Sequence, residues 1–249
     1  MICFYFSGTG NSKYIAEAFS NKMNISRCAI DSNNDFTKLM QENGSIAFCY
    51  PIYGSRVPRI MREFVLKYKT YLKDKKIIIF CTQLLFSGDG ARAFTDILPK
   101  NYFRVIYAEH FKMPNNICNV RFFPPTKSEK IEKYLKNADQ KLDIVCSNIK
   151  NKIIKKRGFN IFSMGLGLIQ GVFMPSMERA GLNSVRISDS CSRCMLCVRL
   201  CPMHNLALKD NHIAQKGNCT LCYRCVNSCP QRAITVLIHN KVKTQYKGI

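Results

Sequence analysis

Apolar and polar residues follow two alternating patterns through the first 157 residues. Short apolar runs predict strands at 2–6, 25–31, 46–50, 76–82 and 104–110. Apolar residues at helical spacing predict helices between them, at 11–22, 58–71 and 91–98. Strands that alternate with helices in this way form a parallel sheet covered on both faces, with right-handed crossovers. We therefore expect a doubly wound α/β domain on a five-stranded parallel sheet.

One further helix has the clearest sequence signals in this region. Two prolines stop the preceding chain, and Thr126 with Glu129 is typical of a capping box. An apolar stripe then continues to Ile153, followed by three basic residues at 155–157, where a helix dipole favours cations. Gly158 can close such a helix. The pattern predicts one long helix that includes the basic residues.

The last part of the chain contains an internal repeat of cysteines. The spacing C-x2-C-x2-C-x3-C-P occurs twice, with an offset of 28 residues. Three closely spaced cysteines wrap three corners of an iron–sulfur cubane, and the fourth points towards a second cluster. We assign one [4Fe–4S] cluster to Cys191, Cys194, Cys197 and Cys229. The second is assigned to Cys219, Cys222, Cys225 and Cys201.

Zinc and disulfides are the alternatives for these cysteines. Zinc sites prefer two C-x2-C pairs separated by a spacer, which differs from this spacing. The N-terminus lacks the basic, apolar and small-residue regions of a secretory signal, so we expect a cytoplasmic protein with reduced thiols. No transmembrane segment is expected, because the most apolar stretch, 158–175, is short and interrupted by polar residues. Cys49 and Cys81 are interpreted as buried structural thiols.

A small, hydroxyl-rich segment joins the first predicted strand to the first helix. We call it the phosphate loop, and its residues are Ser7, Gly8, Thr9, Gly10, Asn11 and Ser12. Such residues let the backbone approach a phosphate group at a helix N-terminus. The loop lacks the Gly-Lys-Ser/Thr of a Walker motif, and Lys13 replaces the third glycine of a dinucleotide fingerprint, although Asp31 would suit a ribose. FMN is the third option, and a turn without any ligand is the fourth.

Two more loops leave the same edge of the predicted sheet. The second loop, 51–58, contributes the candidate contacts Pro51, Ile52, Tyr53 and Gly54. The third loop, 82–90, contributes Thr82, Gln83, Phe86, Ser87, Gly88, Asp89 and Gly90. Tyr53 is the better candidate to stack on a flavin ring and Phe86 the second, with ordinary packing as the alternative for each. A flavin would lie at the carboxyl ends of the strands, where the strand order reverses.

The combination of these motifs resembles a known family. The segment SGTGNS matches the phosphate loop of flavodoxins, and PIYGSRVPR and TQLLFSGDGAR are similar to the flavin loops of flavodoxin–ferredoxin fusion proteins of anaerobic microbes. The resemblance implies a flavodoxin-like domain at 1–157, a connector at 158–187 and a small α+β two-cluster ferredoxin domain at 188–249. It also implies FMN and two [4Fe–4S] clusters, with electron transfer between them.

The chain is strongly basic, with 38 Lys and Arg against 16 Asp and Glu, a formal charge of +22. The excess is spread along the chain and would attract acidic redox proteins such as ferredoxin. No recognition motif accompanies the charge, so nucleic acid is not an expected partner. Contact with a membrane surface through residues 150–157 and the apolar connector is an alternative. A homodimer is the default expectation for the oligomeric state.

Three functions stay open at this point. The first is an electron carrier that moves electrons between the two clusters and FMN, and on to a redox partner. The second is an FMN-dependent reductase that ferredoxin supplies and that reduces a small acceptor such as a quinone, a nitro compound or a disulfide. The third is a redox or oxygen sensor. No general acid or base stands out near the three loops, so whether the protein is an enzyme is undecided.

The cofactor assignment predicts the metal and flavin content of the purified protein. We expect a brown-yellow protein with about eight irons and about one FMN per chain, because each cubane holds four irons. Metal analysis and fluorescence of the released flavin measure both quantities. Zinc in place of iron, or a preparation without flavin, would contradict the assignment.

Overall fold

A computed structural model describes residues 1–31, 34–85, 88–121 and 124–249. Its first part is a parallel sheet of six strands in the described chain, in the order β2-β1-β3-β4-β5-β6. The strands are β1 (Ile2–Tyr5), β2 (Ser26–Ala29), β3 (Ser45–Pro51), β4 (Lys76–Gln83), β5 (Arg104–Lys112) and β6 (Lys155–Lys156). The helices are α1 (Asn11–Met23), α2 (Thr37–Glu42), α3 (Arg59–Lys67) and α4 (Ser128–Lys150), with 3-10 helices at Lys69–Leu72 and Arg92–Ile97.

The doubly wound α/β architecture is confirmed, with one strand more than predicted. Alternate residues of the strands pack on opposite faces, because successive side chains of a strand point to opposite sides. On one face Phe4 and Phe48 pack with Phe64 of α3, and on the other Phe80 packs edge-on against Phe19 of α1 at 4.7 Å. The strand order reverses between β1 and β3, which places a crevice at their carboxyl ends.

Helix α4 differs from the prediction at both ends. Its N-cap is Lys127, without a side-chain cap, so the predicted capping box of Thr126 and Glu129 is wrong. The Thr126 hydroxyl instead accepts a hydrogen bond from the Asn115 backbone N–H at 2.8 Å, which holds Thr126 in the loop before the helix. The helix ends at Lys150 and does not reach the basic residues at 155–157.

The sixth strand explains where those basic residues go. Lys155 and Lys156 pair in parallel with Tyr107 and Ala108 of β5. The Glu109 carboxylate, with only 1% of its side chain exposed, attracts Lys155 at 3.2 Å, and also Lys141 of α4 and Arg157. Burial alone would raise the pKa of Glu109, but these cations hold it below its ordinary value. The buried charge thus anchors the chain after α4 to the sheet edge.

The connector folds into two helices, α5 (Ile161–Gly171) and α6 (Met174–Leu182). Asn160 caps α5 by accepting a hydrogen bond from the Ser163 backbone N–H at 2.7 Å. Across the residues that the structure describes, no helix is long and apolar enough to cross a membrane. The domain boundaries at 157 and 187 stay predictions.

The C-terminal part has two small antiparallel sheets and two short helices. Its elements are β7 (Arg186–Ile187), α7 (Leu196–Leu200), β8 (Leu206–Lys209), β9 (His212–Gln215), α8 (Arg224–Ser228) and β10 (Ile234–Thr235). Helices α7 and α8 are related by the 28-residue offset of the cysteine repeat. Left-handed backbone recurs at equivalent positions, Arg193, Met195 and His204 in one half and Leu221, Tyr223 and Arg232 in the other. The sequence repeat is therefore also a repeat of backbone conformation.

The buried charge at Glu109 gives a stability prediction. We expect Glu109→Gln to lower the free energy of unfolding by about 2 kcal/mol, because it removes the charged acceptor of Lys141, Lys155 and Arg157, whereas these cations are 33%, 50% and 54% exposed and become hydrated. The folded-state pKa of Glu109 is lowered, so this contribution is present above the ordinary glutamate pKa. It is lost as the pH falls through the lowered value. Urea unfolding midpoints at neutral and acid pH measure the effect.

Glu63→Gln is the matched control for this variant. Glu63 is 53% exposed and lies 3.7 Å from Arg59, so its loss should change stability by less than about 1 kcal/mol. Equal destabilisation by the two variants, or a Glu109→Gln effect that does not change with pH, would contradict the prediction.

Candidate functional site

A cavity of about 250 Å³ lies at the carboxyl ends of β1, β3 and β4. We call it the flavin cavity. Residues of all three loops line it: Ser7, Gly8, Thr9, Asn11, Ser12, Pro51, Ile52, Tyr53, Gly54, Thr82 and Gln83. The topology thus brings together most of the predicted site residues at the edge where a doubly wound sheet binds ligands.

The phosphate loop forms the polar end of this cavity. Gly10, at φ 108°, begins α1, and no side-chain hydrogen bond caps the helix. The Gly10 backbone N–H donates to the Ser7 hydroxyl at 3.1 Å, and the Ser12 and Thr82 hydroxyls lie 2.7 Å apart. Asn116 Nδ2 donates to the Thr9 hydroxyl at 2.8 Å. Hydroxyls and an uncapped helix N-terminus therefore converge where a phosphate monoester would fit.

The other walls of the flavin cavity are apolar, and no described lining residue carries a charge. The apolar and aromatic side chains are Ile52, Tyr53, Leu84, Ile117, Met174, Met177, Leu221, Tyr223 and Leu237. A flat aromatic ring fits such walls, and the polar end suits its phosphate. The donor set of this cavity therefore fits FMN.

Sequence reasoning missed several of these walls. Residues 114–117 follow β5 and line the cavity, as do Met174 and Met177 of α6. The sequence could have predicted the loop after β5 as part of the site, because the carboxyl ends of all the parallel strands lie at the same edge of the sheet. Met174 and Met177, and the three residues from the C-terminal part, reach the cavity through tertiary packing, which no local pattern indicates.

Gly88 and Asp89 of the third loop make their contacts away from the flavin cavity. The Gly88 backbone N–H donates to Ser55 Oγ at 2.9 Å and to Gln170 Oε1 of α5 at 3.0 Å. The Asp89 carboxylate binds Arg92 Nε at 2.7 Å. The structure thus places Gly88 and Asp89 against the connector.

Other predicted contacts also lie off the cavity wall. The Gly90 carbonyl accepts a hydrogen bond from the Tyr50 hydroxyl at 3.3 Å, and Gly10 serves to start α1. Phe86 and Ser87 lie outside the described residues. Among the two predicted stacking candidates, Tyr53 is therefore the one seen on the cavity.

A second, smaller cavity lies in the C-terminal part. We call it the cysteine cavity, and all four thiols predicted for the second cluster line it: Cys201, Cys219, Cys222 and Cys225. Burial raises the pKa of Cys222 to about 12. Burial also raises the pKa of Cys225, and repulsion from the other three thiols adds to this effect.

The remaining four cysteines form a second group around Cys197. Burial raises the pKa of Cys197, with further contributions from Cys191, Cys229 and Cys194. Among the described residues, no three His, Cys, Asp or Glu side chains converge as closely as the ligands of a single metal ion. A cubane spreads its thiolates over four corners, and two groups of four cysteines supply that donor set.

Backbone N–H groups point at the cysteine sulfurs in the same way in both halves. Cys191 and Cys219 each accept from the residue two positions later, at 3.4 Å. Cys201 and Cys229 each accept from the residue four positions later, at 3.3 Å. Hydrogen bonds to sulfur stabilise charge on a bound cluster and help to set its reduction potential.

The flavin cavity and the cysteine cavity are neighbours. Tyr223 lines both of them. A Cβ on Gly8 of the phosphate loop would collide with the Cys222 carbonyl, so glycine is required for this approach. Burial and the thiols of Cys222 and Cys219 hold the pKa of Tyr53 well above its usual range. The four thiols of the cysteine cavity, which we call the inner group, therefore lie directly against the flavin cavity. The group around Cys197 is called the outer group.

Arg224 of α8 fixes this contact. Its guanidinium donates to the backbone carbonyls of Ser7 at 2.6 Å and Gly8 at 3.2 Å, and pairs with Asp31 at 2.7 Å. The Tyr246 hydroxyl adds a hydrogen bond to Asn11 Oδ1 at 2.7 Å. The phosphate loop is thus held by residues of the C-terminal part.

Comparison with known proteins identifies two kinds of domain in the chain. Residues 2–122 match the flavodoxin domain family, and residues 188–204 and 215–235 each match a 4Fe-4S binding domain family. The chain thus contains a flavodoxin-like domain followed by two ferredoxin-type motifs, and FMN and two [4Fe–4S] clusters are its cofactors. It is an electron-transfer flavo-iron–sulfur protein. The resemblance stated from the sequence is confirmed.

Solved structures give weaker likenesses. A two-electron reduced flavodoxin of Megasphaera elsdenii is 20% identical, with a TM-score of 0.40, and covers 57% of this chain and 99% of its own. A general stress protein 14 of Treponema denticola, in complex with FMN, is 13% identical, with a TM-score of 0.41, and covers 59% and 98%. None of the curated proteins compared with the chain matches it significantly.

The close approach at Gly8 gives a prediction. We expect Gly8→Ala to lower the free energy of unfolding by roughly 1–3 kcal/mol, because the added methyl group must push Cys222 and the phosphate loop apart. The FMN content should fall at the same time. Gly44→Ala is the control, since a Cβ there meets nothing within 4 Å. Flavin retention and thermal unfolding of both variants check the prediction, and an unchanged Gly8→Ala protein would refute it.

Proposed function

We propose that the protein moves electrons between its two [4Fe–4S] clusters and FMN, and passes them on to a redox partner. When bound, the clusters exchange single electrons and the flavin accepts or releases one or two. The observation that carries the proposal is that Tyr223 lines both the flavin cavity and the cysteine cavity. The residues that surround the two sites are therefore in direct contact.

The two groups of cysteines differ in their access to solvent. Cys194 of the outer group is exposed, whereas the equivalent Cys222 of the inner group is 8% exposed. Arg193 and Arg199 are exposed beside Cys194, and Arg199 donates to the Cys194 carbonyl at 3.4 Å. This arrangement supports an entry or exit point at the outer group for an acidic redox protein such as ferredoxin.

Polar contacts hold the two sites in one geometry. Arg224 donates to the Ser7 carbonyl of the phosphate loop, and Arg59 of α3 donates to both Asn218 oxygens at 2.8 and 2.6 Å. Leu221 and Leu237 line the flavin cavity from the C-terminal part. A fixed contact of this kind favours electron transfer, because neither site has to move.

Reduction of the flavin by reduced ferredoxin tests the proposal. We expect Cys194→Ala to lose about half of its iron, to keep FMN, and to show flavin reduction at least tenfold slower than the unaltered protein. Dithionite should still reduce the flavin directly. Stopped-flow absorbance separates flavin from cluster signals. Flavin reduction at an unchanged rate in an iron-depleted variant would overturn the proposal.

A second variant keeps the test valid if a ligand variant does not fold. Arg193→Gln with Arg199→Gln alters the charge beside Cys194 and leaves the cysteines in place. Its reduction by ferredoxin should slow about tenfold at low salt. The control, Lys130→Gln with Lys133→Gln at the start of α4, removes the same charge elsewhere and should leave the rate unchanged. Equal rates for both double variants would contradict docking at the outer group.

A further inference from the structure

Helix α5 and the turn that follows it expose large apolar side chains. The exposed fractions are 86% for Ile161, 94% for Phe162, 71% for Ile169 and 71% for Phe173. Leu168 is also 70% exposed. Single exposed apolar residues are common on soluble proteins, but a contiguous patch of this kind marks an interaction site.

The large apolar side chains of α5 are exposed because the helix packs on the protein through its small residues. The helix lies against the third loop through its small residues, since a Cβ on Gly88 would collide with Ser163 and Gly167. A Cβ on Gly167 would collide with the Asp89 carboxylate, and Gly171 faces Arg56. A helix built for a protein core buries its large apolar side chains. Here Gly167 and Gly171 face the protein, and the large side chains face outward.

A run of basic residues precedes this apolar helix in the chain. The eight positions 150–157, which lie before α5, contain five exposed basic residues: Lys150, Lys152, Lys155, Lys156 and Arg157. Two isoleucines in the same stretch, Ile153 and Ile154, are 50% and 54% exposed. Between positions 150 and 182 the chain has a single acidic residue, Glu178, which already binds Arg62 through both oxygens at 2.8 and 2.9 Å. Glu109 of β5 pairs with Lys155 at 3.2 Å and with Arg157 at 3.6 Å. The cations that remain for a ligand are therefore Lys150, Lys152 and Lys156.

We propose that α5, the turn at 172–173 and the basic residues at 150–157 form a docking surface for an anionic lipid bilayer. Large apolar side chains on one face with lysines beside them are the pattern of a helix that lies in the membrane interface. An 11-residue helix is only about 16 Å long, about half the thickness of a bilayer core, so α5 lies on the membrane. The apolar side chains enter the interface, and Lys150, Lys152 and Lys156 contact lipid phosphates.

The position of this surface connects it with the redox site. Helix α6 begins immediately after the turn at 172–173, and its Met174 and Met177 line the flavin cavity. Met174 also packs against Gly54 of the second loop. Docking of α5 would therefore place the flavin cavity beside the bilayer. Electron exchange would then take place with a partner at the membrane surface.

Sedimentation with vesicles tests this proposal on the full chain with its cofactors. Vesicles of phosphatidylglycerol and phosphatidylcholine should bind the protein, and vesicles of phosphatidylcholine alone should bind it far less. Phe162→Gln with Phe173→Gln should weaken the partition coefficient by at least tenfold. Lys152→Gln with Lys156→Gln should lower the partition coefficient by about fivefold for each lysine. Added salt should also lower the partition coefficient.

Matched controls separate this surface from general stickiness or charge. Leu208→Gln removes an apolar side chain that is 50% exposed in the β8–β9 hairpin. Lys130→Gln with Lys133→Gln removes two charges at the far end of α4, about 25 Å from Lys150. Both controls should bind vesicles as the unaltered protein does.

Three results would overturn the proposal. The first is that the unaltered protein stays in solution with anionic vesicles. The second is that the phenylalanine variant binds them as tightly as the Leu208→Gln control. The third is a change in mass by sedimentation velocity when Phe162 and Phe173 are replaced, without vesicle binding, because the face would then join two copies of the chain.

Discussion

The Arg224 guanidinium joins the phosphate loop to the loop of inner cysteines at 219–225, of which Arg224 is a part. Arg224 directly precedes Cys225, and its nitrogen atoms contact the Ser7 and Gly8 carbonyls, the Leu200 carbonyl and the Asp31 carboxylate. A partly buried guanidinium is costly to desolvate unless all its donors find acceptors, and its planar fork fixes their directions. Arg224 therefore fixes the relative orientation of the flavodoxin-like and ferredoxin-type parts together with the Arg59–Asn218 and Tyr246–Asn11 hydrogen bonds.

This orientation also completes the flavin cavity. The flavodoxin-like part supplies the polar end and one wall, while Leu221, Tyr223 and Leu237 supply apolar wall from the other part. Hydrophobic packing and hydrogen bonding act together here, because Cys222 is also part of the hydrophobic core of the flavodoxin-like part. A cavity made by two parts of the chain loses a wall if they separate. The fold thus couples cofactor binding to the contact between the parts.

Local patterns predicted the strands and the two 4Fe–4S motifs, because apolar runs and cysteine spacing act over short distances. The cavity lies where β1, β3 and β4 end, as the topology required. The errors arose from long-range contacts. Lys155 and Lys156, which were predicted at the end of a helix, form a sixth strand, where Lys155 pairs with the buried Glu109 carboxylate. Gly88 packs on α5, and Tyr223 reaches the flavin cavity, through surfaces that no single segment reveals.

The repeated halves of the C-terminal part share one backbone but differ in their surroundings. Position 223 carries a tyrosine on the flavin cavity, whereas the equivalent position 195 carries a methionine, and Cys194 is exposed where Cys222 is buried. Substitutions in the second half, 215–235, have to fit the flavin cavity as well as a cluster. Substitutions in the first half, 188–204, have to fit mainly a cluster and solvent. Mutational tolerance should therefore be unequal between residues that the repeat makes equivalent.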